Sequence, residues 1–169
     1  GEYMAGDVDK AVNNNRVIGN TLEWYRKLAL GQPTVVFCAS INHSQHVADE
    51  FNAAGFRWVS LDSTMTSQTR RQAVLDLASG ALDGVSSCDI ISEGFDLPRV
   101  SVAILLRPTK SLGLHLQQLG RVLRVSPGKT HATIIDQVGN VARQEAGKLV
   151  CNHGFAEDVR EWTLDGITK

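Results

Sequence analysis

Short apolar, β-branched runs alternate along this chain with helix-periodic segments closed by glycine, and that alternation restricts the fold more than any other feature. Residues 34–39 (Thr-Val-Val-Phe-Cys-Ala) read as a strand buried on both faces, following a helix over 21–30 that Gly31 closes. Ser40 is placed to cap a helix carrying Ile41, Val47, Phe51 and Ala54, which stops at Gly55 before a strand over 56–61. Thr66 opens another helix, with Ala73, Val74 and Leu77 inward and Gly80 at its end, and a short strand follows over 84–88. After a loop or short helical turn over 89–98 come a strand over 100–106, a helix over 111–124 stopped by Pro127-Gly128, and a last strand over 131–136. Residues 160–164 fit a terminal strand or a helix equally well. Strands separated by helices imply a mostly parallel sheet covered on both sides, an α/β three-layer αβα sandwich.

Composition narrows the function classes. With 169 residues, 43% of them hydrophobic, and only 4 prolines, the chain suits one compact domain with a full core. A net charge of -1 argues against a strongly cationic nucleic-acid binder, so any polyanion contact is expected to be local. Cys38, Cys88 and Cys151 make an odd set without a C-x-x-C pair, pointing to reduced thiols and a cytoplasmic setting. No leader and no membrane-spanning run is read from the sequence, and no membrane partner is expected.

Charge is nevertheless unevenly spread. Residues 97–135 hold Arg99, Arg107, Lys110, Arg121, Arg124 and Lys129 and not one Asp or Glu. Within them Gln117, Gly120, Arg121 and Arg124 fall at i, i+3, i+4 and i+7, which places them on one helix face, and glycine lets another backbone or a ligand approach it closely. A solvated basic face normally carries acids at i±3 or i±4; their absence here favours phosphate contact. In parallel sheets ligands sit at the carboxyl ends of strands, a rule that would put both the 89–98 loop and this helix there. In the loop, Gly94 permits a positive φ, Pro98 fixes the exit direction, and Asp96 between them suits a grip on a hydroxyl such as a ribose.

Several look-alikes are set aside. Pro127-Gly128-Lys129-Thr130 resembles the tail of a phosphate loop, but it runs from helix to strand and Leu123 stands at the first glycine position. Asp49-Glu50 lies within an amphipathic helix and reads as surface charge, while Cys151 and His153 lack a partner pair for metal, so no metal site is expected.

Taken in order, the strand Val35-Val36-Phe37-Cys38, the 65–80 segment with Gln68 and Arg70, the loop Ser92-Glu93-Gly94-Phe95-Asp96-Leu97-Pro98 and the Gln117-x-x-Gly120-Arg121-x-x-Arg124 run resemble the second RecA-like domain of superfamily two helicases. The likeness covers residues 34–140, between an N-terminal segment (1–33) and a C-terminal extension (141–169), and is strongest to bacterial and prophage DNA helicases related to the XPB repair helicase. It implies a RecA-like C-terminal motor domain in which Arg121 and Arg124 reach the ATP phosphates as arginine fingers and Gln117 couples nucleotide to movement. Gly94 and Asp96 would line the nucleotide pocket, Asp96 holding the ribose, and Ser92 and Glu93 would link it to the nucleic-acid strand. DNA, or RNA, would run over Ser40, Gln68, Arg70 and Cys88, where helix N-termini and hydroxyls can take phosphates. Asp62-Ser63, where the family often has a His-Gly pair, and Cys88, where many members have Thr, depart from the pattern.

The phosphate loop and Asp-Glu pair needed for hydrolysis are missing, so the resemblance assigns them, and with them Mg2+, to an N-terminal RecA-like partner domain of the same protein. This part alone is expected to be inactive. A non-catalytic nucleotide- or nucleic-acid-binding module and the motor part of a restriction enzyme are the alternatives.

Overall fold

The computed structural model describes residues 3–88 and 99–158. Five parallel strands, β1 (Thr34–Phe37), β2 (Trp58–Leu61), β3 (Gly84–Ser87), β4 (Val102–Leu105) and β5 (Thr133–Asp136), form one sheet in the order β2-β3-β1-β4-β5. Among the described residues five helices accompany them: α1 (Ala5–Val12), α2 (Asn15–Leu28), α3 (Ile41–Ala53), α4 (Ser67–Ser79) and α5 (Leu112–Val122).

Alternation along the strands sends side chains to two cores. Val35, Phe37, Val85, Ala103 and Leu105 pack with Ala73 and Leu77 of α4 and Leu119 and Val122 of α5. Their neighbours Val36, Val102 and Ile104 face the other way, onto Ile18 and Tyr25 of α2 and Val47 and Phe51 of α3. The three-layer αβα arrangement expected from the strand–helix alternation is therefore present, with a sheet covered on both faces.

The two cores differ in material. Tyr25, Phe51, Phe56 and Trp58 crowd under α2 and α3, with the Phe51 and Trp58 ring centroids 4.2 Å apart and Tyr25 edge-on to Phe51, Phe56 and Trp58. Trp58 lies across Gly84, its register partner on β3, and a Cβ built at Gly84 would sit 2.1 Å from the indole. Glycine at this strand position is thus imposed by the tryptophan.

Hydroxyls cap three of the helices, Ser40 as the sequence placed it. Ser40, Thr66 and Ser111 each accept a hydrogen bond from the backbone N–H three residues on, at 3.0, 3.1 and 3.2 Å. Gly80 ends α4 in the left-handed conformation, φ 80°.

Four departures stand out. Helix α2 begins at Asn15 behind an Asn14 cap, well before the expected start at 21, and α1 precedes it. Helix α5 ends at Val122 with Leu123 as its cap residue, so Pro127-Gly128 is not what stops it and Arg124 lies beyond the helix. In the 141–169 extension an antiparallel hairpin, β6 (Ala142–Glu145) with β7 (Lys148–Cys151), closes through Ala146 (φ 48°) and Gly147 (φ 77°), a two-residue turn with both central residues left-handed. Residues 160–164 lie outside the described residues.

Candidate functional site

A crossover helix must carry the chain from the carboxyl end of one strand back to the amino end of the next, so α3, α4 and α5 all start at one rim of the sheet and finish at the other. At the carboxyl rim Ser40 follows β1, Gln68 and Arg70 follow β2, and Cys88 follows β3, three neighbouring strands. The start of α5 joins them: Asn140, buried, accepts from Thr109 N–H (3.0 Å) and donates to Arg107 C=O (2.8 Å), tying the segments after β4 and β5 together.

The far end of α5 lies at the opposite rim. The expectation that the arginine end of this helix shares the carboxyl rim is corrected by the helix's own direction: its last turn must lie where β5 begins. Gln117 and Gly120 are exposed and Arg121 half-buried on α5, and Arg124 is exposed just past the cap, while His115, Leu119 and Val122 face inward. The space above Gly120 is open, with no atom within 4 Å of where a Cβ would stand. The helix-face reading therefore holds for Gln117, Gly120 and Arg121, while Arg124 stands exposed beyond the end of the helix.

Lys129 accounts for the phosphate-loop look-alike. Gly128, φ 80°, turns the chain, and the Lys129 ammonium donates to Val100 C=O (2.6 Å), Arg124 C=O (3.0 Å) and Val122 C=O. With three donors met by three carbonyls it has none left for a phosphate, as the helix-to-strand direction implied. Burial pushes its pKa below the ordinary lysine value.

At the carboxyl rim the sequence reading missed an internal contact. Ser40 Oγ donates to the Asp9 carboxylate of α1, so the hydroxyl nominated for a strand contact is engaged within the chain. Asn13 Nδ2 also reaches that carboxylate (3.4 Å), and Asn13 Oδ1 pairs with His46 Nδ1 (2.8 Å). Nothing local in the sequence signals a contact 31 residues long. His43, fully buried behind Ser40, accepts from Ala39 N–H at Nδ1 (3.3 Å), and its Nε2 is buried without a partner among the described residues. Burial lowers its pKa to about 4 against the pull of Asp9. Asp62 Oδ1 accepts from Thr64 N–H (2.8 Å) and from the Thr64 hydroxyl, shaping the turn that leads to exposed Gln68 and half-buried Arg70. Cys88 is buried at the end of β3. Ser92, Glu93, Gly94 and Asp96 lie outside the described residues.

Against known proteins, the family model for the helicase conserved C-terminal domain matches residues 16–126. A 51.5 kDa protein of a Lactococcus phage (isolate 7-9) is 39% identical over 140 residues, 83% of this chain and 30% of that protein. A Yarrowia lipolytica pre-mRNA-splicing ATP-dependent RNA helicase, PRP28, is 29% identical over 105 residues, 62% of this chain and 18% of that one. The crystal structure of the E. coli DEAD-box protein SrmB, bound to a regulator of ribonuclease activity, superposes with a TM-score of 0.62 at 19% identity, covering 70% of this chain and 68% of that one. This likeness shows the RecA-like fold, and the chain spans less than a third of the length of these curated relatives.

Proposed function

The chain belongs to the helicase conserved C-terminal domain family, and from that premise we propose that it is the C-terminal motor domain of a longer, cytoplasmic, ATP-dependent DNA helicase or translocase. Its core is residues 34–140, flanked by the 1–33 segment and the 141–169 extension. An N-terminal RecA-like domain of the same protein supplies the phosphate loop and the carboxylates for Mg2+. The observation that carries this reading is the outward surface at the end of α5, where Gln117, the open Gly120, Arg121 and Arg124 stand in a stretch of 39 residues (97–135) without an acid. Such a surface fits a triphosphate held by the other domain.

ATP bound between the two domains supplies the phosphoryl group whose transfer to water develops negative charge on the equatorial oxygens. Arg121 and Arg124 stabilise that charge with their guanidinium groups, and Gln117 couples their position to strand movement. Gly94 and Asp96 hold the nucleoside. Gln68, Arg70, Cys88, Ser92 and Glu93, with Ser40 contributing through the backbone at the start of α3 because its hydroxyl is held by Asp9, form this domain's part of the strand track, which reads backbone and not sequence. DNA is the substrate we propose, on the resemblance to XPB-related helicases; stronger stimulation of turnover by RNA would reassign it.

Arg124→Ala in the intact two-domain protein tests the reading. Turnover should fall about a thousandfold while ATP binding stays within about threefold, because the guanidinium acts on the transition state. Near-normal turnover would remove the motor assignment.

A further inference from the structure

Helix α5 ends without the glycine that closes α4: Leu123, its cap residue, is right-handed, and Arg124 follows at once. The last carbonyls of such a helix have no partner of their own and carry the negative end of the helix dipole. Here an ammonium meets them. Lys129 reaches back through the turn closed by its own N–H onto Ser126 C=O (3.0 Å) and bonds Val122 and Arg124 carbonyls together with Val100 C=O, two residues before β4. Ser126, which anchors this turn, is buried, and so is Val100.

We infer that Lys129 is a positioning residue, fixing the arginine-bearing end of α5 to the start of interior strand β4 and thereby setting where Arg121 and Arg124 stand. The inference rests on the reading of those arginines as triphosphate contacts. Its chemistry is specific to lysine. An ammonium offers three donors from one centre, matching three carbonyls that converge on it, whereas a guanidinium is a flat fork that cannot serve the same three. Removing the ammonium takes away its hydrogen bond to the carbonyl of Arg124 itself, so the displacement falls on the residue that matters. A shift of about 1 Å at such a place is enough to cost about a hundredfold in rate.

The test uses the intact protein and four variants: Lys129→Met, Lys129→Arg, Arg124→Ala and Phe51→Leu, the last loosening the opposite core. Lys129→Met should lower kcat about a hundredfold with KM for ATP within about twofold of the parent, and Lys129→Arg should lower kcat in the same direction by less. Phe51→Leu, with an equal or larger drop in melting temperature, should keep kcat within about twofold, separating positioning from general stability. Should Lys129→Met fail to fold, the kcat-against-KM split in Lys129→Arg decides. The inference is overturned if both lysine variants keep kcat within about threefold, or if Phe51→Leu loses as much kcat for the same loss of melting temperature. An inactive Arg124→Ala beside fully active lysine variants refutes only the positioning role; an active Arg124→Ala refutes the motor reading beneath it.

Discussion

The two rims of the sheet are built on opposite electrostatic plans. At the carboxyl rim the helices begin, and hydroxyls of Ser40, Thr66 and Ser111 satisfy their first N–H groups. At the amino rim the helices end, and cations satisfy their last carbonyls: Arg99 donates to Ala78 C=O of α4 (3.0 Å), and Lys129 to those of Val122 and Arg124. Arg57, paired with Asp83 at 2.6 Å in the loops before β2 and β3, adds to that side, and its guanidinium holds the Asp83 carboxyl below the usual carboxylate range. The difference follows from helix direction alone, since the macrodipole presents its positive end to one rim and its negative end to the other. It teaches that acid-free sequence around α5 has two causes: cations that face outward, and cations that close helices.

If the amino rim is a rigid platform for arginines, its strand starts must tolerate little change. Gly84→Ala drives a Cβ into the Trp58 ring at 2.1 Å, and it is expected to cost about 3 kcal/mol or more of unfolding free energy, read by urea titration. A cost under about 1 kcal/mol would mean that Trp58 has another place to go and that the platform yields.

The carboxyl rim, by contrast, should respond to pH. His43 is held near a pKa of about 4 against 6.5 in the free side chain. The unfolded chain therefore binds the extra proton first, so the His43 contribution is complete above pH 6.5 and is lost as pH falls from there toward 4. The depression amounts to about 3 kcal/mol at most, and His43→Gln should flatten the stability profile over that window. Asp9 and His46 are the charged neighbours in play. A profile unchanged by the substitution would show that this rim does not titrate through His43.

Ser40→Ala should have the smallest effect, about 1 kcal/mol, from losing the α3 cap. Because Ser40 also holds Asp9, the same variant should speed amide exchange in α1 more than in α4. Equal exchange in both helices would mean that α1 is held by other contacts.

Much of this was legible in the chain. Each of the five strands and the Ser40 cap sits where local pattern put it, because burial on both faces leaves a run such as 34–39 few other uses. Local pattern overran α5 to Arg124, since Leu123 and Arg124 are good helix formers and the helix ends only where Lys129 meets its carbonyls. The β6–β7 hairpin hid behind an Ala-Gly turn, alanine being a poor signal for a left-handed residue. For the candidate site, residue types were readable but their distribution between rims was not.

By itself the sequence determined the layer order, the parallel sheet, and the surface on which Gln117, Gly120 and Arg121 meet, because these depend on periodicity within one element. Only the tertiary structure decided that Ser40 is bonded to Asp9, that Trp58 demands Gly84, and that Lys129 faces three carbonyls instead of a phosphate. Those are contacts between elements distant in sequence, and a residue's partner across the fold leaves no trace in its own neighbourhood.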